Sequence, residues 1–177
     1  EILLTWFRDY EDLLKSEEVF SNPEVYGVLE YLRRQNIGMG ALTNGTSRIQ
    51  DYKLRQTGLI QFVNGGSVYC GDHSSVMQDQ GRFDVNIVSK PDRLVYREAI
   101  TRARRWACLN LGEDIKTDQI AFFDDDLGNV VGAVSAGMVG IWVSNRNNQN
   151  QIQVYQEIPG AVLNRLYVLD RLDQLEY

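Results

Sequence analysis

Several residue types are scarce in this sequence, and each scarcity argues against a class of protein. The 177 residues include one histidine and two cysteines, Cys70 and Cys108, which lie far apart in the chain. A zinc site or a Cys–His catalytic pair needs more of these residues, or closer spacing, than the chain offers. Because cysteine usage gives no disulfide framework, a reducing intracellular compartment is expected, by default the cytoplasm, with an organelle as the alternative.

Positive charge and long apolar runs are scarce as well. The formal net charge is −6, whereas a surface that binds nucleic acid needs a basic patch. Three arginines do cluster, but on an amphipathic helix they are expected to form its solvated side. No apolar run approaches the roughly 20 residues of a membrane-spanning helix. The sequence therefore predicts neither a nucleic-acid partner nor a membrane segment. The arginines are Arg102, Arg104 and Arg105.

Strand and helix patterns alternate along most of the chain. Strands that are apolar throughout and separated by helices indicate a parallel sheet covered on both faces. The fold class predicted is therefore α/β, with three layers. The predicted strands are Met39–Leu42, Asn86–Ser89, Ile120–Phe123 and Gly140–Val143. The predicted helices between them are residues 46–56, Asp92–Trp106 and Asn129–Ala136.

The two ends of the chain and two internal segments differ from this alternation. Residues 1–22 have a helical period, and Asn22 with Pro23 then supplies an N-cap and a first-turn proline for the next helix. We therefore divide the chain into a helical segment, residues 1–22, and an α/β domain, residues 23–177. Residues 64–86, which could form a hairpin, and the Asn/Gln-rich loop 145–153 are candidate contact regions for protein partners. A closing helix or a strand–helix pair is expected over Pro159–Leu175.

Polar residues suited to phosphate binding follow two of the predicted strands, at the edge where ligands gather in such a sheet. Thr43 ends the first strand, and the amides of Asn44, Gly45 and Thr46 open the next helix. A hydroxyl group together with helix-start N–H groups can hold a phosphate oxygen. Lys90 precedes a helix-starting proline, where its ammonium group can act as a fixed positive charge. The alternative interpretations are a turn that only caps a helix and a surface lysine.

Three consecutive aspartates, Asp124, Asp125 and Asp126, directly follow the predicted strand Ile120–Phe123. Like charges at the end of a buried strand are costly unless a cation or hydrogen bonds offset their repulsion. Oxygen ligands without histidine or cysteine nearby suit Mg²⁺, which commonly works with phosphate substrates. The alternative is that these aspartates cap the following helix.

Taken together, these segments resemble three motifs of the haloacid dehalogenase (HAD) superfamily of hydrolases. The second motif is similar to ALTNGT and the third to SKPDRLVYREAI. The fourth is similar to AFFDDDLGNVVGAVSAGMVGIWV, in the variant with paired aspartates and an asparagine four positions later. The resemblance covers roughly residues 23–145. It implies a Rossmann-like α/β/α core of the HAD type, with residues 1–22 as the end of a cap domain.

The resemblance also implies an activity and a role for each site residue. The activity is Mg²⁺-dependent hydrolysis of a small phosphorylated molecule through an aspartyl-phosphate. Lys90 would stabilise the negative charge of nucleophile and phosphate, and Asp125 would be the main metal ligand. Asp126 is expected to be only solvated. The residues implied to hold the phosphoryl group are Thr43, Asn44 and Gly45. The residues implied at the metal are Asp124, Asp125 and Asn129.

The family's first motif, Asp-x-Asp-x-Thr, which carries the nucleophilic aspartate, is absent from the sequence. The nearest candidate is Asp9, but Arg8 precedes it and its surroundings have a helical period. Two hypotheses follow. Either the first strand and its nucleophile lie upstream in a longer precursor, or residues 1–9 take that strand's place in a catalytically inactive relative that serves as a binding or assembly subunit. Dehalogenase activity is a third possibility, which the paired aspartates disfavour because it does not require Mg²⁺.

Overall fold

The structure is a computed structural model of the 177-residue chain. It describes residues 23–45, 47–64, 68–69, 74–79, 82–87, 89–144 and 158–169. The predicted N-terminal helix with Asp9, residue Thr46 and the loop 145–153 lie outside these residues. The domain division at residue 22 and the contact role of that loop therefore stay predictions.

The described helices and strands alternate over most of the chain, as the sequence predicts. The helices are α1 (Pro23–Arg34), α2 (Ser47–Gln56), α3 (Arg93–Leu111), α4 (Leu127–Ser135) and α5 (Gly160–Leu163). The strands are β1 (Leu42–Thr43), β2 (Val68–Tyr69), β3 (Ser74–Asp79), β4 (Arg82–Ile87), β5 (Ala121–Asp124), β6 (Val139–Val143) and β7 (Leu166–Leu169). Short 3₁₀ turns occupy Leu59–Phe62 and Thr117–Gln119. No helix in the described part of the chain combines the length and apolarity needed to cross a membrane.

The described strands form two parallel sheets and one antiparallel hairpin. β1 pairs with β2 in parallel, β5, β6 and β7 form a parallel sheet in that order, and β3 pairs with β4 in antiparallel orientation. In the larger sheet, Asp124 at the end of β5 lies opposite Trp142 on β6. Among the described residues this is a Rossmann-like α/β arrangement with a partial sheet.

Helix α4 packs against one face of the larger sheet and contributes to both of the larger clusters of buried residues. Buried side chains from α4 contact Trp142 and Leu166. Helix and strand approach closely because position 140 has no side chain. A Cβ atom on Gly140 would lie 2.5 Å from Val134 Cγ2 and 2.6 Å from Val130 Cγ1. The packing therefore fixes α4 closely against β6, the neighbour of β5 in the sheet. The α4 side chains are Leu127, Val130 and Val134.

Local chemistry sets the ends of α3. The Asp92 side chain accepts a hydrogen bond from the Leu94 amide at 2.8 Å, so Asp92 is the N-cap. At the other end Gly112 adopts the left-handed conformation (φ 70°) in which helices commonly stop. Because that stop signal lies past Trp106, α3 continues to Leu111, beyond the predicted end.

Two predictions about the path of the chain differ from the structure. The strand predicted at Asn86–Ser89 is wrong as a member of the parallel sheet, since Arg82–Ile87 pairs with Ser74–Asp79 as a hairpin. That hairpin was one arrangement expected for residues 64–86. The single closing helix expected at the end of the chain is also wrong, because the short helix α5 precedes the strand β7. A helix after β7 would lie outside the described residues, so the strand–helix alternative stays a prediction.

Candidate active site

The centre of the site is an ion pair between Lys90 and Asp124. Lys90 Nζ donates to Asp124 Oδ2 at 2.6 Å, and the two side chains are only 12% and 9% exposed. The ammonium nitrogen also lies 5.5 Å from the centroid of the Phe122 ring, within range of a cation–π interaction. Lys90 is therefore an inward-pointing, held positive charge, and the surface-lysine interpretation is wrong.

A main-chain hydrogen bond joins this ion pair to the end of β1. The Lys90 amide donates to Asn44 Oδ1 at 2.8 Å. Asn44 directly follows Thr43, the last residue of β1. The carboxyl ends of β1 and β5 are thus linked through one lysine, whose amide contacts one strand end and whose ammonium contacts the other.

Asp124 uses both carboxylate oxygens. Its Oδ1 accepts from the Asp126 amide at 2.9 Å and from Asn129 Nδ2 at 3.2 Å, while Oδ2 accepts from Lys90. Burial raises the pKa of this carboxyl, but the hydrogen bond from Lys90, the bond from the Asp126 amide, the Lys90 charge and the Asn129 bond together lower the pKa below its ordinary value. Asp124 is therefore held as a carboxylate.

The neighbouring aspartates have different surroundings. Asp126 is the N-cap of α4, because its Oδ1 accepts from the Asn129 amide at 3.0 Å. The expectation that Asp126 is only solvated is wrong, and the capping alternative holds for this residue. Asp125 is exposed, and its main-chain carbonyl accepts from Trp142 Nε1 at 3.1 Å. No hydrogen bond or ion pair reaches the Asp125 carboxylate from the residues that the structure describes.

The turn after β1 forms the other side of the site. Thr43 is half-buried, and its hydroxyl is 3.4 Å from the Asn44 carbonyl oxygen, a long hydrogen bond. Gln50 Nε2 donates to the same carbonyl at 3.2 Å. Gly45 has φ 129°, a conformation that glycine adopts readily and other residues rarely do. This turn precedes α2, and its Asn44 side chain accepts from the Lys90 amide, so the turn and the Lys90 loop are adjacent.

The oxygen ligands at the end of β5 fit Mg²⁺ in kind. Carboxylates of Asp124 and Asp125 and the side-chain amide of Asn129 are hard oxygen donors. Because Asp124 already accepts three hydrogen bonds, Asp125 has the more available carboxylate. Within the described ranges no group of three or more His, Cys, Asp or Glu side chains could hold a metal ion. A cation here would therefore keep several water or phosphate ligands, as Mg²⁺ commonly does.

Sequence reasoning found most of these residues but missed Tyr96. This tyrosine has no exposed surface, and its hydroxyl donates to the Asn129 carbonyl oxygen at 2.7 Å. The third-motif segment SKPDRLVYREAI contains Tyr96, and an aromatic residue beside the apolar Val95 indicates burial. Nothing in the sequence indicates that its hydroxyl reaches a residue 33 positions away.

A comparison with protein-family models decides the family. The model described as haloacid dehalogenase-like hydrolase matches residues 2–137, which is more than half of the chain. The chain belongs to the haloacid dehalogenase-like hydrolase family. The predicted resemblance is thus confirmed, and the three HAD motif segments supply the residues linked at the ends of β1 and β5.

Solved structures of HAD-like proteins have the same fold at low sequence identity. A mutant of CbbY from Rhodobacter sphaeroides, solved with xylulose-(1,5)bisphosphate, has a TM-score of 0.63 at 16% identity, over 94% of this chain and 61% of that one. A dehalogenase has a TM-score of 0.57 at 17% identity, over 87% of this chain and 54% of that one. A putative β-phosphoglucomutase from Thermotoga maritima has a TM-score of 0.55 at 20% identity, over 88% and 58%.

These likenesses show the fold of the HAD-like chain and no more. The chain spans between 54% and 61% of the length of the three solved proteins. No curated protein sequence gives a significant match. The activity of the whole protein therefore has to be argued from the site.

The lowered pKa of Asp124 predicts how the stability of this HAD-like chain depends on pH. The unfolded aspartate titrates near ~3.9, and the folded one at a lower pH because of its Lys90 and amide partners. The contribution is fully present above the unfolded pKa and is lost as pH falls through the folded pKa. Thermal melts with a chelator present should therefore show a steeper loss of melting temperature below pH ~4 for the wild type than for Asp124→Asn. Equal slopes for the two proteins would contradict the assigned pairing.

Proposed function

We propose that the protein is a Mg²⁺-dependent phosphomonoester hydrolase that acts on a small phosphorylated molecule. The observation that carries this proposal is the buried Lys90–Asp124 ion pair, linked by Asn44 to the end of β1. It gathers a cation, a hydroxyl-bearing turn and an acidic strand end at the carboxyl ends of β1 and β5. Phosphoryl transfer needs positioning and charge neutralisation, and these groups supply both.

Each residue of the site has a role in this proposal. The Thr43 hydroxyl and the main-chain amides of Asn44 and Gly45 hold oxygens of the phosphoryl group. The Lys90 ammonium has three N–H donors, and its bond to Asp124 uses one of them. The others are directed to the nucleophile and the phosphate. The Asn44 side chain, which accepts a hydrogen bond from the Lys90 amide, holds the Lys90 loop beside the turn after β1.

The acidic side of the site would hold the metal. Asp125, with Asp124 and Asn129 beside it, is the proposed set of protein ligands. When bound there, Mg²⁺ would neutralise negative charge on the phosphate oxygens. The bonds from Lys90, Asp126 and Asn129 keep Asp124 ionised and oriented, so that the acidic edge is already formed before substrate binds.

The nucleophile is not among the described site residues. Strands β1 and β5 are each an outer strand of their described sheet, and both end at the Lys90 linkage. A strand between them would place its carboxyl end beside Lys90, where the aspartate of the family's first motif is expected. Asp9 is the one candidate that the printed sequence offers. A segment upstream of Glu1 is the other source that we propose.

A second candidate function is a non-catalytic HAD-like protein that serves as a binding or assembly subunit. The absence of an Asp-x-Asp-x-Thr motif from the printed sequence favours it. Retention of Thr43, Lys90 and the aspartate pair favours the hydrolase, because an inactive relative has no chemical need of all three. For the second candidate, residues 64–86 and 145–153 are the proposed contact regions.

Hydrolysis of a generic aryl phosphate distinguishes the two candidates. The hydrolase proposal predicts phosphate release that requires Mg²⁺ and stops when a chelator is added, with Asp9→Asn showing whether Asp9 is the nucleophile. In the full-length protein, including any segment upstream of Glu1, binding of inorganic phosphate without any hydrolysis would overturn the hydrolase and support the binding subunit. Halide release from a haloacid, independent of Mg²⁺, would instead indicate a dehalogenase.

A further inference from the structure

One buried tyrosine connects helix α3 to the acidic side of the site. Tyr96 has no exposed surface, and its hydroxyl donates to the Asn129 carbonyl oxygen at 2.7 Å. Asn129 lies in the first turn of α4, and its Nδ2 donates to Asp124 Oδ1 at 3.2 Å. A single residue therefore separates the tyrosine hydroxyl from the carboxylate that pairs with Lys90.

The Tyr96 ring is linked to Lys90, the basic member of the ion pair, through Phe122. The Tyr96 ring packs edge-to-face against Phe122, with centroids 5.5 Å apart and planes at 82°. The Lys90 ammonium nitrogen lies 5.5 Å from the centroid of that Phe122 ring. Tyr96 thus reaches both members of the ion pair through one intermediate each, which are Asn129 for Asp124 and Phe122 for Lys90.

A glycine lets α4 approach this tyrosine. A Cβ atom on Gly132 would lie 2.8 Å from Tyr96 Cε2 and 3.0 Å from the Pro91 carbonyl oxygen. Pro91 directly follows Lys90, so α4 is close to both the tyrosine and the lysine loop. The distance between the acidic and basic halves of the site is therefore set by packing at Tyr96 and Gly132.

The hydroxyl of Tyr96 needs an explanation that its ring does not provide. Burying a hydroxyl group is unfavourable unless it finds a hydrogen-bond partner, whereas a phenylalanine would fill nearly the same space without that cost. The partner here is a carbonyl at the start of α4, in the residue whose side chain contacts Asp124. The Tyr96 hydroxyl thus anchors the first turn of α4, which carries Asn129.

We infer that Tyr96 is a positioning residue, which holds Asp124 through Asn129 and Lys90 through Phe122 so that the ion pair stays closed. The inference deepens the proposed function, because this pair is its central feature. The contacts of Tyr96 can nevertheless be tested without measuring catalysis, so the positioning role of Tyr96 and the hydrolase proposal can fail separately.

Acylation of lysine amines, followed by peptide mass spectrometry, measures how strongly the ion pair with Asp124 protects the Lys90 amine from the reagent. The chain has four lysines, namely Lys15, Lys53, Lys90 and Lys116. Lys90 is nearly buried and paired, whereas Lys116 is exposed and serves as an internal reference. Tyr96→Phe should raise the rate of Lys90 labelling relative to Lys116 by roughly 5–10-fold, since one net hydrogen bond is worth about that factor. Tyr167→Phe, at a tyrosine 58% exposed on β7, should leave the ratio unchanged.

Two further measurements separate positioning from general loss of stability. Lys53, half-buried on α2, is a second reference lysine away from the pair, so its labelling should not rise with that of Lys90. Asn129→Ala removes the bond to Asp124 and keeps the buried tyrosine, so it should raise Lys90 labelling by itself. In the Asn129→Ala background, Tyr96→Phe should raise the rate of Lys90 labelling by a smaller factor than it does in the wild type, because both changes act on the same chain of contacts.

An unchanged Lys90 ratio in Tyr96→Phe would overturn the inference. An unchanged ratio in Asn129→Ala, or full additivity in the double variant, would overturn it as well. A raised Lys90 ratio in a protein that hydrolyses no phosphate ester would support the positioning role of Tyr96 and overturn the hydrolase proposal instead.

Discussion

Lys90→Met is expected to lower the rate of phosphate-ester hydrolysis by about two to three orders of magnitude. The ammonium group is the fixed positive charge of the site, nearly buried and 2.6 Å from Asp124 Oδ2. Methionine fills similar space without charge, so negative charge on the phosphate loses its stabilising partner at the point where it develops. Steady-state kinetics with an aryl phosphate and Mg²⁺ measures the loss. Lys116→Met is the matched control, because that lysine is exposed and lies outside the three motif segments.

The same substitution is expected to reduce the free energy of unfolding by roughly 3 kcal/mol, as commonly found when one member of a buried ion pair is removed. Asp124 would remain buried with only its Asp126 and Asn129 partners. Adding Asp124→Asn should restore part of the stability, because no uncompensated charge remains, but it should not restore hydrolysis. Normal hydrolysis in Lys90→Met would show that Lys90 has a structural role alone.

Asp125→Asn is expected to lower Mg²⁺-dependent hydrolysis at least about 100-fold and to raise the Mg²⁺ concentration needed for half-maximal rate. The physical reason is that Asp125 has the carboxylate least engaged by other groups at the end of β5. Kinetics over a range of Mg²⁺ concentrations checks the prediction.

The chain offers a matched control one residue away. Asp126→Asn makes the same change of charge, and asparagine caps a helix about as well as aspartate does, so α4 should keep its start. Asp126→Asn is therefore expected to retain activity and its Mg²⁺ dependence. Equal losses in the two variants would mean that the charge of the segment matters and that Asp125 is not a specific ligand.

The motifs predicted the fold class and the identity of the linked residues because their chemistry is local. An apolar run that ends in acidic residues predicts a buried strand with its ligands at the carboxyl end, and β5 with Asp124 has that form. A proline after Lys90 and the asparagine after Thr43 mark turns at two further strand ends. These signals require only a few adjacent residues. Burial on both faces, which the apolar run also predicts, is not found in the structure: Phe122 is buried, whereas Ala121 and Phe123 are exposed.

The different roles of the three aspartates could not be predicted from local sequence in the same way. Their side chains are chemically identical, and what distinguishes them is the position at which α4 begins. Since α4 begins at Leu127, Asp126 becomes the N-cap, and Asp124, as the last residue of β5, meets Lys90. The choice of Asp125 as the metal ligand stays a prediction.

Long-range pairing also escapes local reasoning. Asn86 and Ile87, in the segment predicted as a parallel strand, belong instead to an antiparallel hairpin. The pattern of apolar residues in one strand does not show which strand it pairs with, or in which direction. The Tyr96 hydroxyl is a second example, as its acceptor on Asn129 becomes a neighbour only when α3 and α4 pack together.

Titration of the protein with inorganic phosphate, with and without Mg²⁺, tests most directly whether the ends of β1 and β5 form a phosphate site. Isothermal calorimetry on the wild type is expected to show phosphate binding that Mg²⁺ strengthens, and Thr43→Val and Lys90→Met should each weaken it at least about tenfold, since each removes a group that bonds the anion. This measurement does not depend on the nucleophile. Phosphate binding that is equal in the wild type and both variants would contradict the account.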